Sequence, residues 1–128
     1  MSNERAQANG NLTRVQELPS VAAVPAQERS LGLLVSSSPT EPGFRHALEL
    51  ARAALKREIT VYWYAVDEGV RAVDTGALRD LVQEGIRLFA CAYGAERRRL
   101  PHHPHAVYAG LGVVSDLMSR TDRFLCFA

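Results

Sequence analysis

Four short apolar runs are separated by segments that carry turn residues or helical periodicity. The runs are rich in leucine, isoleucine, valine or aromatic residues and are bounded by turns, which is typical of strands buried on both faces of a sheet. The predicted strands are residues 31–36, 59–66, 86–91 and 123–128.

Helical periodicity is clearest between the first two runs. Apolar residues recur there at helical spacing, with charged residues on the opposite face, which predicts an amphipathic helix. Its apolar positions are Phe44, Ala47, Leu48, Ala51 and Leu55. Thr40 is the predicted N-cap, with Glu41 and Pro42 in the first turn.

Three further helices are predicted from shorter patterns. The first ends at Gly85, and the others cover residues 92–100 and about 111–120. The inward-facing positions of the first are Ala77, Leu78, Leu81 and Val82. Segment 67–76 ("DEGVRAVDTG") is predicted as a loop, and 101–105 ("PHHPH") as irregular because of its two prolines.

The resulting order, β-α-β-α-β-α-α-β, predicts the fold class. It indicates a single α/β domain whose parallel sheet of four to five strands has right-handed crossovers and helices on both faces. In such sheets ligands bind beyond the carboxyl ends of the strands. Segments 36–43, 67–76 and 91–96 are expected at this rim.

Composition narrows the class of protein. Residues 1–30 are polar, and we expect a mobile tail with a short helical turn in "TRVQEL", followed by a folded domain over 31–128. A formal net charge of +1 argues against nucleic acid as the main ligand. The apolar runs are far shorter than the roughly 20 residues that span a bilayer, and the N-terminus has no secretory pattern. We therefore expect a cytoplasmic protein without membrane contact, whose two cysteines stay reduced.

Cys91 is the first candidate for chemistry, because it ends the third predicted strand and precedes a predicted helix. The thiolate is the nucleophilic form of cysteine, and a helix N-terminus and nearby cations favour it. Tyr93, Arg97 and Arg98 lie on the same segment as candidate rim residues. The alternative is a small buried residue at a strand end, which is the interpretation we give to Cys126 within the last strand.

A serine triplet and a set of carboxylates lie on the other two rim segments. The serines are Ser36, Ser37 and Ser38, and the carboxylates are Asp67, Glu68 and Asp74. Hydroxyls before a helix N-terminus can hold an anion, although turn chemistry alone also explains them. The carboxylates suit acid–base work or cation binding, and equally a solvated loop.

Three histidines in "PHHPH" raise the possibility of a metal-binding module. His102, His103 and His105 have a spacing that matches no zinc pattern, and a solvated loop is the alternative. The sequence therefore predicts neither a bound metal nor an organic cofactor.

Four stretches, in this order, carry a resemblance to a known family. They are "LGLLVSSSPTEPGFRHALELARAAL" (31–55), "VYWYAVDEGVRAV" (61–73), "LVQEGIRLFACAYGAERRRL" (81–100) and "AGLGVVSDLMSRTDRFLCF" (109–127). The chain resembles the DsrE/DsrF-like family of small sulfur-relay proteins, and most closely its cysteine-bearing TusD/DsrE branch. The likeness covers residues 31–128, while the N-terminal tail and "PHHPH" are not family features.

The resemblance implies a DsrE-like parallel α/β fold and a sulfur-carrier or sulfurtransferase-like function. Cys91 matches the cysteine that carries sulfur as a persulfide in active members. The implied partners are TusA-like or rhodanese-like sulfur donors and acceptors, and the implied assembly is a homotrimer or hexamer, or a hetero-oligomer with related subunits. A non-catalytic interaction subunit is the alternative. Sulfur transfer to tRNA and sulfur oxidation both remain open as the pathway.

Overall fold

The computed structural model describes residues 29–128, which form one five-stranded sheet with all strands parallel. The strands are β1 (Ser30–Val35), β2 (Thr60–Ala65), β3 (Arg87–Cys91), β4 (Val107–Ala109) and β5 (Arg123–Phe127). They lie in the order β4-β3-β2-β1-β5. The parallel α/β fold and all four strands predicted from apolar runs are confirmed.

Helices connect the strands and cover both faces of the sheet. They are α1 (Pro42–Lys56), a 3₁₀ helix (Asp67–Asp74), α2 (Gly76–Glu84), α3 (Ala92–Arg97) and α4 (Gly112–Arg120). The chain steps from β1 to β4 in one direction, and α4 then leads back to β5 at the opposite edge. Since crossovers between parallel strands are right-handed, this reversal brings α4 to the other face, where it contacts β1 and β5.

The three central strands form the core. Tyr62, Trp63 and Tyr64 are completely buried although successive side chains of a strand point to opposite faces, because both faces of β2 are covered. Phe44 of α1 packs edge-on against Trp63, with ring centroids 5.9 Å apart. Trp63 therefore faces α1, and the two tyrosines point to the opposite face, as the alternation predicts.

The predicted burial of Cys126 is wrong. Cys126 is exposed on β5, and its neighbour Leu125 is 43% exposed. The reason is the position of β5 at the edge of the sheet, where β1 is its only partner strand among the described residues. An apolar run does not show whether its strand is central or at an edge, so the run 123–128 is typical of either.

The prediction of a loop over residues 67–76 is also wrong. Residues Asp67–Asp74 form a 3₁₀ helix that buries Val70 and Val73. Gly69 makes this packing possible, because a Cβ atom on it would lie 2.1 Å from the Val35 carbonyl oxygen. The acidic and glycine-rich composition of the segment concealed this helix from the sequence pattern.

Two smaller predictions need correction. The N-cap of α1 is Glu41 rather than Thr40, and the Glu41 carboxylate accepts a hydrogen bond from the Ser38 N–H at 2.7 Å. The short edge strand β4 was taken as part of the turn before α4, because three residues are too few for a periodic pattern. The stop at Gly85 is confirmed, where φ is +121°, a conformation that favours glycine.

The predicted tail over residues 1–30 lies almost wholly outside the described range. Within that range Ser30 already belongs to β1, and its backbone N–H donates to Asp122 Oδ2 at 2.8 Å. None of the helices within residues 29–128 is long and apolar enough to cross a membrane.

Candidate functional site

The carboxyl ends of β2 and β3 bring two of the predicted rim segments into contact. The 3₁₀ helix that follows β2 packs against α3, which follows β3. Arg98 Nε donates to Glu68 Oε2 at 2.8 Å across this contact. The Arg98 side chain also donates to the Gly94 carbonyl oxygen at 3.1 Å, so it fastens the end of α3 to its own first turn and to its neighbour.

Cys91 is the last residue of β3 and the N-cap of α3. Its backbone is extended, with φ −69° and ψ 115°, and its Sγ accepts a hydrogen bond from the Gly94 N–H at 3.3 Å. A side chain that accepts from the residue three positions ahead fills the role that serine or aspartate usually has at an N-cap. Negative charge on the sulfur would strengthen this bond. Cys91 is 5% exposed, so the sulfur lies just below the surface.

Tyr64 lies on the same face of the sheet as Cys91. It pairs in register with Phe89, which is two residues before Cys91 on β3 and therefore on the same face. The Tyr64 hydroxyl donates to the Ala109 carbonyl oxygen at 3.0 Å, and Ala109 is the register partner of Cys91 on β4. The tyrosine side chain thus crosses β3 at the level of Cys91.

The ionisation of Tyr64 is strongly disfavoured. Burial raises the pKa of Tyr64 well above its ordinary value, and the Cys91 side chain raises it further through its charge and by hydrogen bonding. The phenol therefore keeps its proton at all physiological pH values and can act as a donor. The sequence prediction assigned Tyr64 to core packing. Its place on the strand next to Cys91, on the same face, was the available signal.

Arg97 and Arg98 have partners other than the sulfur. Arg97 Nη1 donates to the Tyr93 hydroxyl at 3.2 Å, and its guanidinium lies over the Tyr93 ring. Arg98 is paired with Glu68. Tyr93 is 67% exposed and follows Cys91 by two residues, so it forms part of the protein surface beside the buried sulfur.

Glu68 is the centre of a small ion-pair network at this rim. It accepts from Arg98 and from Arg71, whose Nε lies 2.7 Å from Glu68 Oε1. The hydrogen bonds from Arg98 and then Arg71 lower the pKa of Glu68 below its ordinary value, so the carboxylate stays charged at neutral pH. The sequence identified the charges on each segment but could not pair residues 30 positions apart.

The serine triplet lies at the ends of β1 and β5, one strand beyond β2. The Ser36 N–H donates to the Phe127 carbonyl oxygen at 2.9 Å, which joins the two strand ends. Ser37 is 1% exposed, and a Cβ atom on Gly43 would lie 2.3 Å from its Oγ. Ser38 bonds with Thr40. These contacts make the segment a packed turn beside α1, separated from Cys91 by β2.

The three histidines do not converge on one point. His102 stacks on Tyr108 with centroids 4.0 Å apart, and His105 Nε2 lies 2.7 Å from the Val73 carbonyl oxygen. His103 Nδ1 lies 3.9 Å from Asp74. Among residues 29–128, no group of three histidine, cysteine, aspartate or glutamate side chains is arranged to hold a metal ion.

The large groove of the described domain is remote from Cys91. It measures about 670 Å³ and lies between the end of α1 and the starts of β1 and β5, with Leu31, Leu50 and Leu125 on its walls. Cys91 does not line it. The chemistry at Cys91 therefore takes place at a surface, where a partner must reach the sulfur from outside.

Comparison with known proteins places the fold and no more. No family model and no curated protein matches the chain. Two solved structures are similar to it. The ychN protein from E. coli has a TM-score of 0.66 at 14% identity, covering 79% of this chain and 100% of its own. A conserved protein of unknown function from Bacteroides thetaiotaomicron has a TM-score of 0.63 at 12% identity, covering 81% of this chain and 99% of its own. The ychN protein has a DsrE-like fold, so the similarity supports that fold for this chain.

Proposed function

We propose that this protein is a cytoplasmic sulfur carrier that accepts sulfane sulfur on Cys91 as a persulfide and passes it to an acceptor thiol. The position of Cys91 carries the proposal. It ends a central strand at the ligand-binding rim, and a backbone N–H already points at its sulfur. Cys126 lacks such surroundings because it lies on an exposed edge strand.

The transfer consists of two thiol–persulfide exchanges and needs no external oxidant. The Cys91 thiolate attacks the outer sulfur of a donor persulfide, so that a new S–S bond forms on Cys91 and the donor thiolate leaves. An acceptor thiolate then attacks the outer sulfur of the Cys91 persulfide and releases the Cys91 thiolate. The Gly94 N–H assists both steps, because it stabilises charge on the Cys91 sulfur as nucleophile and as leaving group.

The arrangement beside Cys91 suits a protein donor or acceptor. The sulfur is nearly covered, and the exposed Tyr93 and Arg97 lie next to it on α3. A persulfide is longer than a thiol by one S–S bond of about 2 Å, so its outer sulfur extends towards the surface where a partner's thiol can attack. TusA-like and rhodanese-like proteins are the donors and acceptors to test.

A second candidate function follows from the same burial. At 5% exposure, Cys91 is also compatible with an inert core residue in a non-catalytic interaction subunit of a homotrimer, hexamer or mixed assembly. Native thiol titration distinguishes the two: a Cys91 that reacts only after unfolding supports the interaction subunit. A metal-binding module built on His102, His103 and His105 has no such support, because their side chains bind elsewhere.

Intact mass spectrometry tests the carrier function. The full chain is incubated with a persulfide-loaded rhodanese-like or TusA-like protein, then compared with Cys91→Ser and with Cys126→Ser as the matched control. We expect the mass of one added sulfur atom on wild type and on Cys126→Ser, and none on Cys91→Ser. Absence of the adduct from wild type with every donor would contradict the proposal.

A further inference from the structure

Tyr64 has one proton and two acceptors within reach. Its hydroxyl donates to the Ala109 carbonyl oxygen at 3.0 Å and also interacts with the Cys91 side chain. While Cys91 is a neutral thiol, its S–H can donate to the Tyr64 oxygen, and the phenol proton satisfies Ala109. When the thiol loses its proton, two acceptors compete for the single Tyr64 proton.

The thiolate is the stronger acceptor of the two. A hydrogen bond to an ionised acceptor is stronger than one to a neutral carbonyl. Ala109 is only partly buried and precedes the exposed Gly110, so water can reach its carbonyl in place of Tyr64. The completely buried Tyr64 is held by the packing of β2 and needs only a rotation about its C–O bond to change acceptor.

We propose that Tyr64 is a positioning residue whose hydroxyl turns from the Ala109 carbonyl to the Cys91 sulfur when the thiolate forms. This inference rests on the proposed function and adds a donor to it. Gly94 N–H and Tyr64 O–H together hold the sulfur from two sides, one from α3 and one from the sheet. The same pair then stabilises Cys91 as the leaving group when sulfur passes to the acceptor.

The pH dependence of Cys91 alkylation by iodoacetamide tests this assignment, since only the thiolate reacts. The measurement uses the full chain with Cys126→Ser, so that Cys91 is the single thiol. Tyr64→Phe should raise the pH midpoint of alkylation by about one unit, the size expected for one hydrogen bond to a charged group. Tyr62→Phe is the matched control, because it removes a hydroxyl from the same strand and face without changing a contact to Cys91.

An unchanged midpoint in Tyr64→Phe, or an equal rise in Tyr62→Phe, would overturn the inference. A ring-fluorinated tyrosine at position 64 keeps the hydroxyl and the packing and is a stronger donor. It should lower the midpoint, and an unchanged midpoint would again contradict us, even if Tyr64→Phe fails to fold. Alkylation requires no sulfur donor. A Tyr64 effect without any persulfide on Cys91 would therefore remove the proposed function alone, and a persulfide without a Tyr64 effect would remove this inference alone.

Discussion

Replacing Gly69 by alanine should break the joint between the 3₁₀ helix and the sheet. The new Cβ would lie 2.1 Å from the Val35 carbonyl oxygen, 3.0 Å from its carbon and 3.3 Å from Ser36 Cα. All three are backbone atoms at the end of β1. The Val35 oxygen also accepts from the Val66 N–H at 3.0 Å, so it cannot move aside without losing that bond.

The expected cost is set by overpacking and by this hydrogen bond. A methyl group forced into a packed region costs about 1–3 kcal/mol, and a lost hydrogen bond about 1 kcal/mol, so the free energy of unfolding should fall by roughly 2–4 kcal/mol. The displaced 3₁₀ helix also carries Glu68, so the ion pair with Arg98 beside Cys91 should be lost.

Urea unfolding followed by tryptophan fluorescence measures the effect directly, because Trp63 is the single tryptophan and is completely buried. Gly76→Ala is the matched control: a Cβ atom there has no neighbour within 4 Å, and Gly76 begins α2. The control should lie within about 0.5 kcal/mol of wild type or be slightly more stable. Equal stabilities of the two variants would refute the reasoning.

Three further predictions concern the surroundings of Cys91. Gly94→Ala should fold and gain up to about 1 kcal/mol, because its Cβ would make ordinary contacts of 3.4 Å to Val70 and 3.6 Å to Cys91 Sγ. Its methyl group should slow the reaction of Cys91 with an aromatic disulfide reagent more than with iodoacetamide, and equal slowing would count against an approach beside Gly94. In the native protein, Cys126 should be alkylated much faster than Cys91 because it is exposed, which Cys126→Ser and Cys91→Ser compared by mass spectrometry will check. Because Arg98 and Arg71 lower the pKa of Glu68, its charge stabilises the fold above about pH 4.5 and this contribution disappears as the pH falls. The difference in urea midpoint between wild type and Glu68→Gln should therefore shrink on acidification, and a constant difference would contradict the ion-pair assignment.

The sequence predicted the fold well because buried parallel strands and an amphipathic helix leave strong local patterns. The run that ends at Cys91 and the helix that follows it were both identified from such patterns. Placement across the sheet leaves no local pattern, so Cys126 at an edge was assigned to the core.

The candidate site was predicted only where it is local in sequence. Cys91 and the first turn of α3 adjoin each other along the chain, and the helix after the cysteine is present as predicted. Tyr64 and Glu68 come to this site from another strand and from the 3₁₀ helix, through strand register and through an ion pair over 30 positions. A single sequence does not contain that register, which depends on tertiary packing.

The most direct test of the central claim locates the sulfur on the chain. After incubation with a persulfide-loaded donor, the protein is blocked with an alkylating reagent and digested with trypsin. Cleavage after arginine separates the two cysteines into peptides 88–97 and 124–128. A carrier that works through Cys91 predicts the extra sulfur on peptide 88–97 and its loss when an acceptor thiol protein is added before blocking. Sulfur found only on peptide 124–128, or on neither peptide, would contradict the account.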